Sequence, residues 1–297
     1  MNKAHGVQRT AYSEEKTSSL FKDAVYRLTR NKLALFGLIV IFFFIIITII
    51  TPLIAPYGYE EQNLEYGAQA PSFKHLLGTD DLGRDLFTRL LYGGRVSLAV
   101  GILATLVSLI IGVSYGAISG FFGKKTDLIM MRIVDILYSM PFMFFVIILM
   151  VIAGRNIYNL FIALGAIQWL TMSRIVRGQI LSLKEKDFVM AAKAIGVTKM
   201  KIIFRHLIPN ALGPIIIYST LTIPSVMLEE AFLSFLGLGV QPPMSSWGLL
   251  VASGVQSMET YPWLLIFPAL TMAIILFSLN FVGDGLRDAL DPSDKND

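Results

Sequence analysis

Two stretches carry residues whose chemistry the surrounding chain does not explain. Glu229 and Glu230 stand side by side at the end of an apolar run. A carboxylate at mid-bilayer costs on the order of 3 kcal/mol, which places the pair near the outer interface or against a cavity. There it could meet a cation; helix-end carboxylates facing water explain the pair as well. The second stretch, Lys184–Asn210, is a polar island between long apolar runs. Phe188, Ala191, Ala192 and Ile195 recur at i, i+3, i+4, i+7, the face of a short helix that Asp187 could cap, with Lys186 before it and Met190 within it. Gly196 stands where a helix needs positive φ, and Thr198 can start a second helix. Its stripe is Met200, Ile203, Phe204 and Leu207, with Lys199, Lys201 and Arg205 off it, and Pro209 ends the unit. This is the chemistry of docking rather than of bond making. A small-residue ridge with a sharp bend suits a groove on another protein, while an amphipathic elbow on the membrane is the plainer reading.

Other chemistries find no support. There is no cysteine, so disulfides and thiolate metal sites are excluded. His5, His75 and His206 are far apart in sequence and have no metal-ligand spacing, so no metal is expected. Gly120 and Gly123, followed by Lys124, Lys125 and Thr126, have two residues between the glycines where a phosphate loop needs four. Any ATP must therefore be bound by another chain. No Ser/His/Asp constellation accompanies the apolar runs, so the chain itself is not read as an enzyme.

The elements that must position these residues are membrane spans. The chain has 297 residues, 55% of them apolar, and a mean hydropathy of +0.65, which marks a membrane protein. Residues 1–32 form a basic arm, with seven basic and three acidic residues; an apolar stripe through Phe21, Ala24, Val25 and Leu28 reads as an interfacial helix. Spans are expected at Leu33–Leu53, Val96–Ile118, Ile136–Ala153, Ile157–Met172, Ala211–Leu228 (broken by Pro214 and Pro224) and Pro262–Val282, since such runs approach the roughly 20 apolar residues that cross a bilayer. Gly112, Gly116 and Gly120, four apart, present a flat strip for helix packing. A loop over 55–95 contains Asp80, Arg84 and Asp85 in a glycine-bounded turn, read as a self-satisfied cap or as a docking surface. Residues 231–261 carry one charge, Glu259, and their Pro242-Pro243 pair argues for a re-entrant or surface-lying segment. Residues 283–297 are a tail. Six spans leave both termini on one side with 20 of the 25 basic residues, so the positive-inside rule makes that side the cytoplasm.

At the island the chain resembles a known family. Met190-Ala191-Ala192, Gly196 and Ile208-Pro209 are similar to the EAA loop of ABC importer permeases, with Met190 in place of the family's glutamate and His206 in place of an isoleucine. Gly78-Thr79-Asp80, Gly83-Arg84-Asp85, the stretch Phe232–Gly239 and Ser245-Ser246-Trp247-Gly248 resemble the peptide and nickel permease branch. The stretches Arg174–Gln179, Pro262–Leu265 and Gly283–Pro292 look most like the C subunit of oligopeptide permeases. The resemblance implies an all-α integral membrane protein with six transmembrane helices, the type I importer fold and both termini cytoplasmic. It also implies a bacterial inner-membrane location, a homologous second permease, two ATPase subunits holding ATP and Mg, a substrate-binding protein and a peptide substrate, with no nucleic acid. Dipeptides, nickel or another small solute are the alternative cargo. A secondary transporter or channel working alone is the rival class; it calls for ionisable residues within the spans, and the six runs have no Asp, Glu, Lys or Arg.

Overall fold

A computed structural model describes residues 20–290; the expectations for residues 1–19 and for the tail past 290 lie outside the described residues. Among these, every regular element is a helix, beside one isolated antiparallel bridge between Thr79 and Asp85. A lipid environment offers backbone groups no water, and helices satisfy them internally. Leu20–Arg30 (α1) precedes Lys32–Ile54 (α2), and Asn31 caps α2 by accepting from the Leu33 and Ala34 amides at 3.1 and 3.2 Å. Leu86–Phe122 (α3), Lys124–Ser139 (α4), Phe142–Ala153 (α5) and Ile157–Leu183 (α6) follow. Asp187–Ala194 (α7) and Lys199–Ile202 (α8, prolonged by a π-turn and one last turn to Asn210) form the island. Leu212–Phe235 (α9), Trp247–Ser257 (α10) and Trp263–Leu290 (α11) complete the chain.

Five helices, α2, α3, α6, α9 and α11, are long and apolar enough to cross a membrane, and α4 with α5 supplies a sixth crossing if counted as one bent span. The bend is 86°. Met140 is extended before Pro141, as expected where a proline ring clashes with a helical predecessor. Ile136–Ala153, expected as a span, is therefore bent at Pro141, and any crossing begins further back in α4. The other helices outrun their apolar runs: α3 starts at Leu86, α6 continues to Leu183, and α9 to Phe235. Charged residues, among them Arg89, Arg177, Glu229 and Glu230, thus lie within the spanning helices, because their polar groups find protein partners instead of lipid. Nor is α9 broken by its prolines. Pro214 sits in the first turn, where its missing N–H has no intrahelical role, and Pro224 is accommodated inside a continuous helix.

The bundle has two ends. At one, the loop before α3 and α10 cover the helix tops. Residues 231–261 resolve into the end of α9, a connecting loop and α10, whose 11 residues span about 16 Å and cannot cross a bilayer. The helix instead packs on α9 and α11 through Gly248 and Gly254: an added Cβ would lie 2.5 Å from Ala231 Cα and 2.4 Å from Leu264 O, respectively. Trp247 is buried there, donating from its indole to Leu90 O at 2.9 Å. At the other end α3 lies against α6 along the glycine strip. A Cβ would come within 2.7 Å of Met172 at Gly112, 2.3 Å of Ser173 O at Gly116 and 2.9 Å of Arg177 O at Gly120.

Gly116 contacts a backbone carbonyl, whereas Gly178 on α6 has open space around it. Gly116→Ala should therefore destabilise the protein by about 1–3 kcal/mol through overpacking. Gly178→Ala should be neutral or stabilising by up to about 1 kcal/mol through helix propensity. Thermal melting of the purified protein in detergent measures the difference, and equal melting temperatures would remove the close-approach account.

Candidate functional site

The island is built from short-range rules. Lys186, extended, occupies the position before α7, and Asp187 is the first helical residue, so Asp187 does not cap the helix; in the first turn its charge still suits the positive end of the helix dipole. Gly196 adopts φ +79°. Its amide donates to Lys193 O at 3.1 Å, and the Val197 amide to Ala192 O at 3.0 Å. This is the two-bond helix stop that needs a left-handed residue at the turn. Thr198 is extended before α8, but its hydroxyl makes no capping bond. Pro209 does not end the unit: it lies in the first turn of the last short helix, where no N–H is missed, and the path continues through Ala211 into α9.

The packing divides the apolar stripe in two. Val189, Ala192, Ile202, Ile203 and Leu207 are buried in one cluster with Ala117, Val176 and Ile180 from α3 and α6. Phe188, Met190, Ala191, Ile195, Met200 and Phe204 are left exposed, Ile195 at 80%. Of the expected ridge, Ala192 thus faces inward as the island's footing, because the neighbouring helix pair claims that side. Around the exposed knuckle stand Lys186, Lys193, Lys199, Lys201 and Arg205, none of which pairs with a carboxylate among the described residues. Lys193 and Lys199 lie over the Phe121 and Phe122 rings, 5.8 and 5.7 Å from their centroids. His206 is half-buried, its carbonyl accepting from the Asn210 amide at 2.6 Å. An exposed apolar patch rimmed by unpaired cations is the form of a protein-docking surface.

The helices beneath the island are tied to one another by contacts that hydropathy does not reveal. Arg177 on α6 grips Asp127 on α4 with two bonds of 2.5 and 2.6 Å, and the Ser119 hydroxyl donates to the same carboxylate at 2.6 Å. Lys184, where α6 ends, donates to Gly120 O at 3.1 Å. Arg174 reaches Asp135 at 2.8 Å and stacks on Tyr138. The signal available in the sequence was the i, i+3 pair Arg174 and Arg177 opposite acids spaced two turns apart on α4, but the pairing requires the fold.

The remaining singled-out residues do not converge on one site. Asp80 accepts from the Leu82 and Arg84 amides at 3.0 Å each, from Arg84 Nε at 2.8 Å and from Arg89. Asp85 caps α3 through the Thr88 amide at 2.7 Å and meets His75 Nδ1 at 2.9 Å. The Asp80 and Asp85 side chains are thus turned inward, with their bonds made within the turn and to Arg89 and His75. Glu230 is fully buried and accepts from the Ser234 and Ser246 hydroxyls at 2.7 Å each, pinning α10 to α9. Glu229 faces the other way. Its two oxygens share Gln168 Nε2 at 2.9 and 3.0 Å, beside a cavity of about 440 Å³ at the α4–α5 bend. Neither carboxylate is a water-facing helix end.

Residues 112–295 match the family model described as binding-protein-dependent transport system inner membrane component, and residues 19–71 match the N-terminal transmembrane domain of oligopeptide transport permease C. Oligopeptide transport system permease proteins of Haemophilus influenzae and Bacillus subtilis are similar: the first is 53% identical over 93% of this chain and 90% of its own, the second 46% identical over 94% and 91%. The solved inward-facing structure of the MetNI methionine ABC transporter contains a chain with a TM-score of 0.55 and 20% identity, covering 69% of this chain and 98% of that one. This last likeness speaks to the fold. The chain therefore belongs to the binding-protein-dependent transport system inner membrane components, the multi-pass permeases of ABC importers.

Proposed function

We propose that this chain is one of two permease subunits of an ATP-driven oligopeptide importer in a bacterial inner membrane, and that the island couples it to an ATPase. The exposed knuckle over a buried footing carries this reading. Phe188, Ala191, Ile195 and Phe204 supply the apolar anchor and the unpaired lysines supply the rim, which suits a cleft with an acidic edge. Met190 is exposed where the family has a glutamate, so at that position docking is apolar and the glutamate's contact is replaced.

In this reading a homologous second permease completes the pore, a binding protein delivers peptide from outside, and two ATPase subunits hold ATP and Mg. Closure of the ATPase pair moves the knuckle. The footing transmits the movement because Ala192, Ile203 and Leu207 share one cluster with Val176 and Ile180 of α6 and Ile215 of α9. Tilting α6 and α9 then opens the lumen outward. To swing such an equilibrium from 1:99 to 99:1, nucleotide must favour one state by about 5.5 kcal/mol. The island and both termini face the cytoplasm in this arrangement.

Two outcomes are expected. Ala191→Glu puts a charge on the exposed ridge without disturbing the footing, and should abolish ATP-dependent peptide uptake in proteoliposomes while the variant still inserts; unimpaired uptake would count against docking. Uptake by the wild-type chain alone, without ATP or an ATPase, would instead identify a secondary transporter. In spheroplasts, cysteines placed at Lys186 and Lys193 should react with an impermeant maleimide only after permeabilisation, and labelling from the external medium would reverse the orientation.

A further inference from the structure

Glu229 is a carboxylate inside a spanning helix, and among the described residues no Lys, Arg or His nitrogen pairs with it. Its one protein donor is the neutral Gln168 amide, a single nitrogen shared between both oxygens. A carboxylate has about four acceptor positions, so most of its capacity is unused. In an apolar layer that arrangement is costly, and a cation would complete it. The other spanning-helix carboxylate of α9, Glu230, shows the contrast, since two hydroxyls hold it and Gly248 closes over it.

The free side of Glu229 opens on a cavity. Its volume of about 440 Å³ lies within the range of roughly 300–1,000 Å³ usual for small-ligand pockets. Tyr138, Ser139, Phe145, Gln168 and Thr171 contribute to its wall together with Glu229: one anion, several neutral polar groups and apolar surface. Gln168 is 15 residues from the end of α6, about 22 Å along the helix axis, which sets the cavity near the middle of that helix and away from the island. The wall includes both arms of the α4–α5 bend as well as the two helices that the island joins, so movement of α6 against α9 alters it.

The cation that fits is an organic ammonium. No group of three or more His, Asp or Glu among the described residues could hold a metal ion, and hard divalent cations take six or more oxygens. An ammonium needs one anion and a few neutral acceptors. We propose that this cavity is a station on the translocation path for the free amino terminus of the transported peptide, with Glu229 as its anionic partner. Every unmodified peptide presents that group whatever its sequence, so the station accepts varied cargo while requiring the charge. The inference rests on the importer reading above.

The test uses the assembled transporter, with both permeases, the ATPases and the binding protein, in proteoliposomes. Uptake of trialanine is compared with that of N-acetyl-trialanine, each at a concentration that saturates the binding protein. Wild type should favour the free amine by about tenfold, as the loss of one charged hydrogen-bonded contact implies. Glu229→Gln should bring the ratio to about one, and Glu229→Asp should keep most of it. A merely structural role would lower both rates together and leave the ratio unchanged in Glu229→Gln, which would overturn the proposal. So would a wild-type ratio near one, or loss of copurifying subunits in Glu229→Gln, which would assign the carboxylate to a cation of the second permease. If wild type moves neither peptide with ATP, the importer reading fails as well, so the two failures are distinguishable.

Discussion

The close approach of α3 to α6 is the constraint on which the rest of the structure depends. Within a membrane there is little hydrophobic gain in bringing two apolar helices together, so packing must come from van der Waals contact and polar bonds at short range. Gly112, Gly116 and Gly120 permit backbone to meet backbone, with Ser173 O and Arg177 O in the places that side chains would take. That approach sets the height at which Arg177 meets Asp127 and Lys184 meets Gly120 O. It also brings Ala117 beside Val176 and Ile180, making the floor on which the island stands.

From this floor the chain builds a short lever. α7 and α8 are each too short to be stable alone, since isolated helices below about 12–15 residues are marginal. They hold because Val189, Ala192, Ile203 and Leu207 are buried with the ends of α6 and α9. Burying that half of the stripe obliges the other half to face outward, so anchoring and presentation arise from one packing decision. The opposite end is held differently, by polar bonds in a crowded cap: Asp80 with Arg84 and Arg89, Asp85 with His75, Glu230 with Ser234 and Ser246. The cap end is stapled to α3, α9 and α10, whereas the island end rests on apolar contact and a few ion pairs around Arg174 and Arg177.

The charged residues trace where local reading stops being sufficient. Hydropathy kept every charge outside the spans, which is sound when a charge has only lipid or water for company. Here Arg89, Arg177, Glu229 and Glu230 continue their helices because partners from elements far away in sequence, such as Ser246 for Glu230 and Gln168 for Glu229, receive them. The same reasoning misjudged Pro224, since helix continuity depends on neighbours as much as on the proline itself.

The amino-acid order by itself determined a helical membrane protein, the position of the polar island, the turn at Gly196 and the lack of cysteine. Those features rest on composition, on periodicity and on interactions within a few residues, and the motif spacing carried the family. Tertiary structure alone decided which half of the island's stripe is exposed, that Asp80 and Asp85 are consumed in a cap, and that two adjacent glutamates have opposite fates. Successive residues on a helix point about 100° apart, so Glu229 and Glu230 meet different neighbours, and those neighbours are supplied by helices whose arrangement no local pattern encodes.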